Sequence, residues 1–188
     1  MSSIAVTASA SGTGTVSLVA PVTNSDRTIT LPDATGTMLS TATAGVPVNG
    51  PAFSAYNSNQ AIANNTFTKL ACSFEVFDTN SNYDNATNYR FTPTVAGYYQ
   101  INGHVALAAA LGIVAVSIYK NGGNFYSGSS AALNTGFTQA NVSGVVYLNG
   151  STDYVELYTF QNSGGSINTI TASGPYNYFN GALVRSAV

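Results

Sequence analysis

The chain has 188 residues, of which only 6% are charged: five Lys or Arg, seven Asp or Glu, for a net charge of −2. Soluble domains usually carry ~25%, and five scattered cations exclude binding to nucleic acid through phosphate neutralisation, which needs clustered Lys and Arg. A lone cysteine, Cys72, excludes an internal disulfide, and no apolar run approaches the ~18–20 residues of a membrane span.

The amino-terminal stretch "MSSIAVTASASG" lacks a cationic region and a long apolar core, so no signal peptide is expected there. Folding in a cytoplasm is expected, with release by lysis if the protein acts outside a cell. Residues 1–45 lack the pattern of a packed core. "TVSL" at Thr15–Leu18 and "TITL" at Thr28–Leu31 match residue type for residue type, and each is followed closely by a proline. Two short strands repeated in this way predict an extended β-rich anchor or shaft that orders against neighbouring copies or a docking surface. "TAGVPVNGP", Thr43–Pro51, reads as a linker, and residues 46–188 as a separate head domain.

From Pro51 onward the apolar period is two, the signature of strands with one core face. "KLACSFEVF" sets Leu70, Cys72, Phe74 and Val76 against Lys69, Ser73 and Glu75. "YQINGHVAL" sets Tyr99, Ile101, Gly103, Val105 and Leu107 against Gln100, Asn102 and His104. "VAVSIYK" follows with Val114, Val116 and Ile118 against Ser117 and Tyr119, then "NVSGVVYL" with Val142, Gly144, Val146 and Leu148 against Ser143, Val145 and Tyr147. "DYVELYTF" sets Val155 and Leu157 against Tyr154, Glu156 and Tyr158, and "YFNGALV" sets Phe179, Gly181 and Leu183 against Tyr178, Asn180 and Val184. The turn signals "NGG", "NGST" and "NSGGS" punctuate these runs, and no segment shows a helical stripe. The prediction is an all-β sandwich of roughly eight to ten strands.

The non-core face is tyrosine-rich: Tyr98, Tyr119, Tyr147, Tyr154, Tyr158 and Tyr178 are read as lying together on it. Six half-buried rings sum to roughly 450 Å², comparable with the largest apolar patch of a typical monomer. Burying that area stabilises an assembly by on the order of 10 kcal/mol per protomer before ordering costs. The tyrosines are therefore expected to line the axis of a symmetric oligomer.

Several segments then resemble a known family. "YRFTPTVAGYYQINGHV", "VSIYKNGG", "VSGVVYLNGSTDYVELYTF" and "YFNGALV" resemble the C1q-like globular domain, a relative of the tumour necrosis factor jelly roll. The matching positions are Phe91, Gly97 and Tyr98; Asn121 and Gly122; Leu148, Asp153, Val155 and Leu157; and Phe179, Gly181 and Leu183. They span about Pro51 to Arg185. "GSTD" stands where the family has Gly-Asp, and the collagen repeat of the animal branch is missing. The resemblance implies a ten-strand C1q/TNF-like jelly roll and a compact homotrimer. Ahead of it, "TLPDATGT" at Thr30–Thr37 resembles segments of tailed-bacteriophage fibre and structural proteins. Together these imply a virion protein, assembled in the bacterial cytoplasm and exposed on the particle. It would be a trimeric fibre or spike held to another virion protein by residues 1–45, with a globular tip towards the host surface. The alternatives are a C1q-like extracellular recognition lectin outside any virion, and a purely architectural capsid decoration.

The chemistry-bearing residues point away from catalysis. His104, the single histidine, lies on the non-core face with no identifiable nucleophile or orienting acid. Cys72 falls on the core face, where a small apolar filler is the usual role. No cofactor is expected, and no Cys/His pair has zinc spacing. Asp78 and Asp84 flank the oxygen-rich "TNSNY" and are the calcium candidates, as some C1q-like relatives bind calcium. Loop aromatics and amides, Tyr83, Asn85, Tyr126, Tyr176 and Asn177, are the candidates for contact with a host glycan, since sugars are met by ring faces and amide hydrogen bonds.

Overall fold

A computed structural model of the chain divides into two compact units, Met1–Met38 and Leu39–Val188. The structure describes residues 50–108, 112–131, 136–171 and 175–187, with 11–13, 24 and 26 besides. The expected anchor, with its two short strands and the Thr30–Thr37 signature, lies outside the described residues.

The head is all β. Its strands are β1 (Ala52–Asn57), β2 (Ala61–Ile62), β3 (Thr68–Lys69), β4 (Phe74–Asp78), β5 (Tyr83–Asp84), β6 (Arg90–Phe91), β7 (Ala96–Ala108), β8 (Ile113–Lys120), β9 (Gly123–Ala131), β10 (Phe137–Asn149), β11 (Val155–Gln161), β12 (Ile167–Asn168) and β13 (Asn177–Ser186). One sheet has the order β10-β7-β13-β1-β4, and the other β5-β6-β11-β8-β9, with β3 also on β11. A small third pair joins β12 to β2. All the pairings within these sheets are antiparallel.

The core lies between the two large sheets. Phe53 stacks on Phe91 at 4.3 Å and on Tyr83 at 4.9 Å, and meets Phe179 edge-on. Tyr99, Ile101, Val105, Leu107, Val114, Val116, Ile118, Val146, Leu148, Val155 and Leu157 fill the rest, all fully buried. The alternation of β7, β8, β10, β11 and β13 is therefore as the sequence predicts. Gly103 shows why glycine stands amid such bulk: a Cβ there would sit 2.2 Å from Leu157 Cδ1. The Leu157 side chain fills the space between the sheets that a side chain at 103 would need.

One predicted strand is corrected. "KLACSFEVF" is not continuous. Leu70 and Cys72 are buried, but Phe74 and Val76 are exposed. Lys69 pairs with β11 in one sheet, whereas Phe74 pairs with β1 in the other. The chain crosses between sheets over residues 70–73, where Cys72 N–H donates to Leu70 O and Ser73 N–H to Ala71 O. That crossing resets which side of the backbone faces the core. A bulge opposite Ser54 and Ala55 then leaves Val76 without a partner and turns Phe77 to the same outward side as Phe74.

Candidate functional site

The outward side of the five-stranded sheet is built from cross-strand rows. One row runs Asn141, His104, Tyr178, Tyr56, Phe74; the next runs Ser143, Asn102, Asn180, Ser54, Phe77. Val145 and Gln100 share the third row, and Tyr147 and Tyr98 the fourth. Rings pair within this pattern: Tyr98 with Tyr147 at 5.5 Å, His104 stacked on Tyr178 at 5.4 Å, and Tyr56 stacked on Phe74 at 5.1 Å.

The middle of the face is different. Gln100 Nε2 donates to Asn102 Oδ1 (3.1 Å) and Ser143 Oγ (2.9 Å), while Ser143 Oγ donates to Asn102 Oδ1 (2.8 Å). Asn102 Nδ2 donates to Asn180 Oδ1 at 2.9 Å. An uncharged amide and hydroxyl network thus separates two apolar patches. The first holds Tyr98, Tyr147, Val145 and Val184; the second holds Tyr56, Phe74 and Phe77. Phe74, Phe77, Val145 and Val184 are each about half exposed, at 48%, 46%, 47% and 53%. Among the described residues, concavities open on this face. One, about 720 Å³, is lined by Tyr98, Tyr147 and residues 184–187. A second, about 290 Å³, lies at His104, Gln139 and Tyr178, and a third, about 230 Å³, at Phe77, Asn102 and Asn180.

His104 is held rather than poised. Its Nδ1 lies 2.6 Å from the Tyr176 carbonyl oxygen, so that nitrogen carries a proton and donates. Nε2 lies 3.2 Å from Gln139 Oε1. Neither partner is a nucleophile or an acid.

The six tyrosines do not share one face. Tyr98, Tyr147 and Tyr178 lie on the five-stranded sheet, whereas Tyr119 and Tyr158 lie on β8 and β11 of the other sheet, with Tyr154 just before β11. Alternation tells inside from outside, but both sheets of a sandwich have an outside, and periodicity does not distinguish them.

Two of the five glycan-contact candidates are corrected. Tyr83 is 6% exposed, and its hydroxyl donates to Cys72 O within the core. Burial pushes its ionisation far above the ordinary tyrosine range, and does the same for the neighbouring Cys72 thiol. Asn177 is fully buried; its Oδ1 accepts from Ala106 N–H and its Nδ2 donates to Ile170 O. It serves as a surrogate backbone strand where the ladder ends. Asn85 is half-buried, and Tyr126 and Tyr176 are exposed. These three lie on separate elements: the β5–β6 turn, strand β9, and the residue before β13.

The calcium candidates are occupied by amides. Asp78 accepts from Asn80 and Tyr83 N–H. Asp84 accepts from the N–H groups of Ala86, Thr87 and Asn88 and from Asn88 Nδ2, and the Thr87 and Ala86 amides lead in lowering its pKa to about 2. Each carboxylate closes its own turn. Among the described residues no group of three or more His, Cys, Asp or Glu could hold a metal.

No protein-family model matches the chain, and no curated protein matches it. Solved structures do. The globular domain of zebrafish complement 1qA is similar with a TM-score of 0.54 at 20% identity, over 74% of this chain and 100% of that one. Murine APRIL at pH 5.0 gives 0.56 at 8% identity, over 72% and 100%. Eiger TNF from S. frugiperda gives 0.55 at 6% identity, over 74% and 96%. The head has a C1q/TNF-like jelly-roll fold. Identities this low speak to the fold alone, so the C1q/TNF-like head takes its functional reading from its own two outward faces.

Proposed function

We propose that this protein is a structural virion component of a tailed bacteriophage: a homotrimeric fibre or spike whose C1q/TNF-like head contacts the host surface. The observation that carries the assembly is the pair of apolar patches on the outward side of one sheet, Tyr98–Val145–Tyr147–Val184 and Tyr56–Phe74–Phe77, with the amide network between them. Two unlike patches can cover one another between copies, the first of one on the second of the next, in a two-fold pair or in a head-to-tail ring. Three copies is the closure that the C1q-like resemblance implies. The amides then meet near the shared interior, where hydrogen bonds to a neighbour fix register and uncharged groups avoid the desolvation cost of ions.

The virion assignment rests on the Thr30–Thr37 signature and on the scarcity of charge. The residues 1–45 that carry the signature attach the trimer to another virion protein in this reading. Binding and architecture, not catalysis, follow from a site made of rings and amides with no poised nucleophile. Mass spectrometry and immunogold imaging of purified particles test the assignment. The chain is expected at discrete positions on the particle; particles free of it contradict the proposal.

A further inference from the structure

The second group of tyrosines raises its own question. On the outward side of the six-stranded sheet, Tyr119 stacks on Tyr158 at 4.0 Å; Phe67 lies 6.1 Å from Tyr119 and 5.2 Å from Phe160. These four rings form one continuous cluster along β11. At its other end the Arg90 guanidinium lies over the Tyr154 ring, 4.4 Å from the centroid. From Tyr154 to Phe160 the strand covers ~20 Å. On the β8–β9 side the neighbouring cross-strand positions carry small residues, the half-buried Ala115, the fully buried Ser117 and the exposed Ser127. There Ser117 Oγ and Ser127 Oγ are 2.8 Å apart, and Ser127 Oγ donates to Asn124 Oδ1.

Two features set the kind of ligand. The first is size. Apart from Phe67, these rings are only partly exposed, and at about a third of ~200 Å² apiece five rings show on the order of 350 Å². A stable protein interface takes ~800 Å² per partner, so the rings by themselves supply less than half of one. The second is charge. Lys69 is ion-paired with Glu156 at 2.5 Å, and Arg90 stands opposite both Glu156 and Asp84 across the strands. The cations and carboxylates balance, which suits a ligand read by stacking and hydrogen bonds. Among the described residues Arg90 is in no ion pair, so its N–H edge remains a donor fork while its plane rests on a ring. The backbone that delivers Arg90 is strained: Tyr89 sits at φ 51, a left-handed conformation uncommon for a bulky residue. The four hydrogen bonds to the Asp84 carboxylate, from residues 86–88, hold that turn.

We propose that the Phe67–Tyr119–Tyr158–Phe160 cluster, with Arg90 on Tyr154, is a polysaccharide-binding platform. Sugar rings present flat C–H faces to the aromatics and rim hydroxyls to Arg90 and the Ser127–Asn124 edge, the mix of apolar lining and few directed polar groups that ligand sites use. This deepens the host-contact reading above: it moves the contact from the loops to the sheet that the proposed trimer leaves outward.

The test is binding of the full chain to an array of purified bacterial surface polysaccharides, with the sedimentation mass measured on the same samples. The intact protein is expected to bind at least one of them. Phe67→Ser and Arg90→Gln are each expected to weaken that binding by about tenfold or more while the mass stays unchanged. Arg90→Gln alters no buried core residue, so it keeps the test decisive if Phe67→Ser misfolds. Three outcomes overturn the platform: no polysaccharide bound by the trimer, binding unchanged in both variants, or binding lost only in Tyr126→Ser or Tyr176→Ser. A monomeric mass sinks the assembly reading instead, whatever the array shows.

Discussion

The two outward faces of the sandwich are made from the same residue types and do different things with them. On the five-stranded sheet the rings sit in pairs around an amide network. On the six-stranded sheet they gather into one cluster beside small residues, with the cationic groups set against the rings. In the sequence the two merge into one tyrosine-rich face. What separates them is whether the rings flank a polar centre or gather into one cluster, and that arrangement is set by strand order. An apolar rim around satisfied amides suits a wide partner of the same shape, while a compact ring cluster suits something narrow.

Breaking the scaffold should abolish both faces at once. Gly103→Val puts side-chain carbon where Leu157 Cδ1 already stands, and overpacking of this kind costs about 1–3 kcal/mol or more. Thermal melting should show the midpoint fall by at least several degrees, with assembly and ligand binding lost together; an unchanged midpoint refutes the tight sheet-to-sheet packing at Gly103.

Separating the faces calls for Tyr98→Asp with Tyr147→Asp. A carboxylate forced into a desolvated contact without a partner costs about 3 kcal/mol or more, a change of at least a hundredfold in association. Sedimentation should report monomers that still melt cooperatively, since both side chains point away from the core.

On the other face, Lys69→Ala leaves the buried Glu156 carboxylate without its cation. Loss of a partner for a buried charge costs about 1–3 kcal/mol, discounted because Lys69 is itself nearly a third exposed. The double variant Lys69→Ala, Glu156→Gln should recover most of that loss in a melting experiment while the sedimentation mass stays constant throughout.

The smallest expected effect is acid sensitivity at Asp84. Its folded pKa of about 2 lies below the ordinary value, so its contribution is present above about pH 4 and fades as the pH falls towards 2. Asp84→Asn should flatten the stability profile across that window only; a profile identical to that of the intact protein contradicts the turn-capping role.

How much of this was legible in the sequence depends on how local the cause is. Alternation in "YQINGHVAL" and "NVSGVVYL" placed Tyr99, Ile101, Val105, Leu107, Val142, Val146 and Leu148 in the core, though not the buried Ala106 and Ala140, because a long strand with one buried face carries its register in its own pattern. "KLACSFEVF" misled because the chain changes sheets at residues 70–73, and a crossing leaves no periodic trace. Tyr83 and Asn177 look like loop residues by their polar neighbours. Yet one anchors a core ring stack and the other replaces a missing ladder bond, both decided by elements far away in the sequence. The amide network and the ring platform were hidden for the same reason. Asn102, Ser143 and Asn180 become neighbours only when β10, β7 and β13 align, and Phe67 joins Tyr119 only when β3 lands on β11.

The central claim is that the outward face of the five-stranded sheet, with its two apolar patches, is covered by copies of the chain. Sedimentation equilibrium of the purified protein at micromolar concentration, in low and high salt, tests it most directly. The account predicts a single species of three times the 19.3 kDa chain mass, barely altered by salt because few charges lie on the face. A 19.3 kDa monomer, or a trimer that falls apart as salt is added, contradicts it.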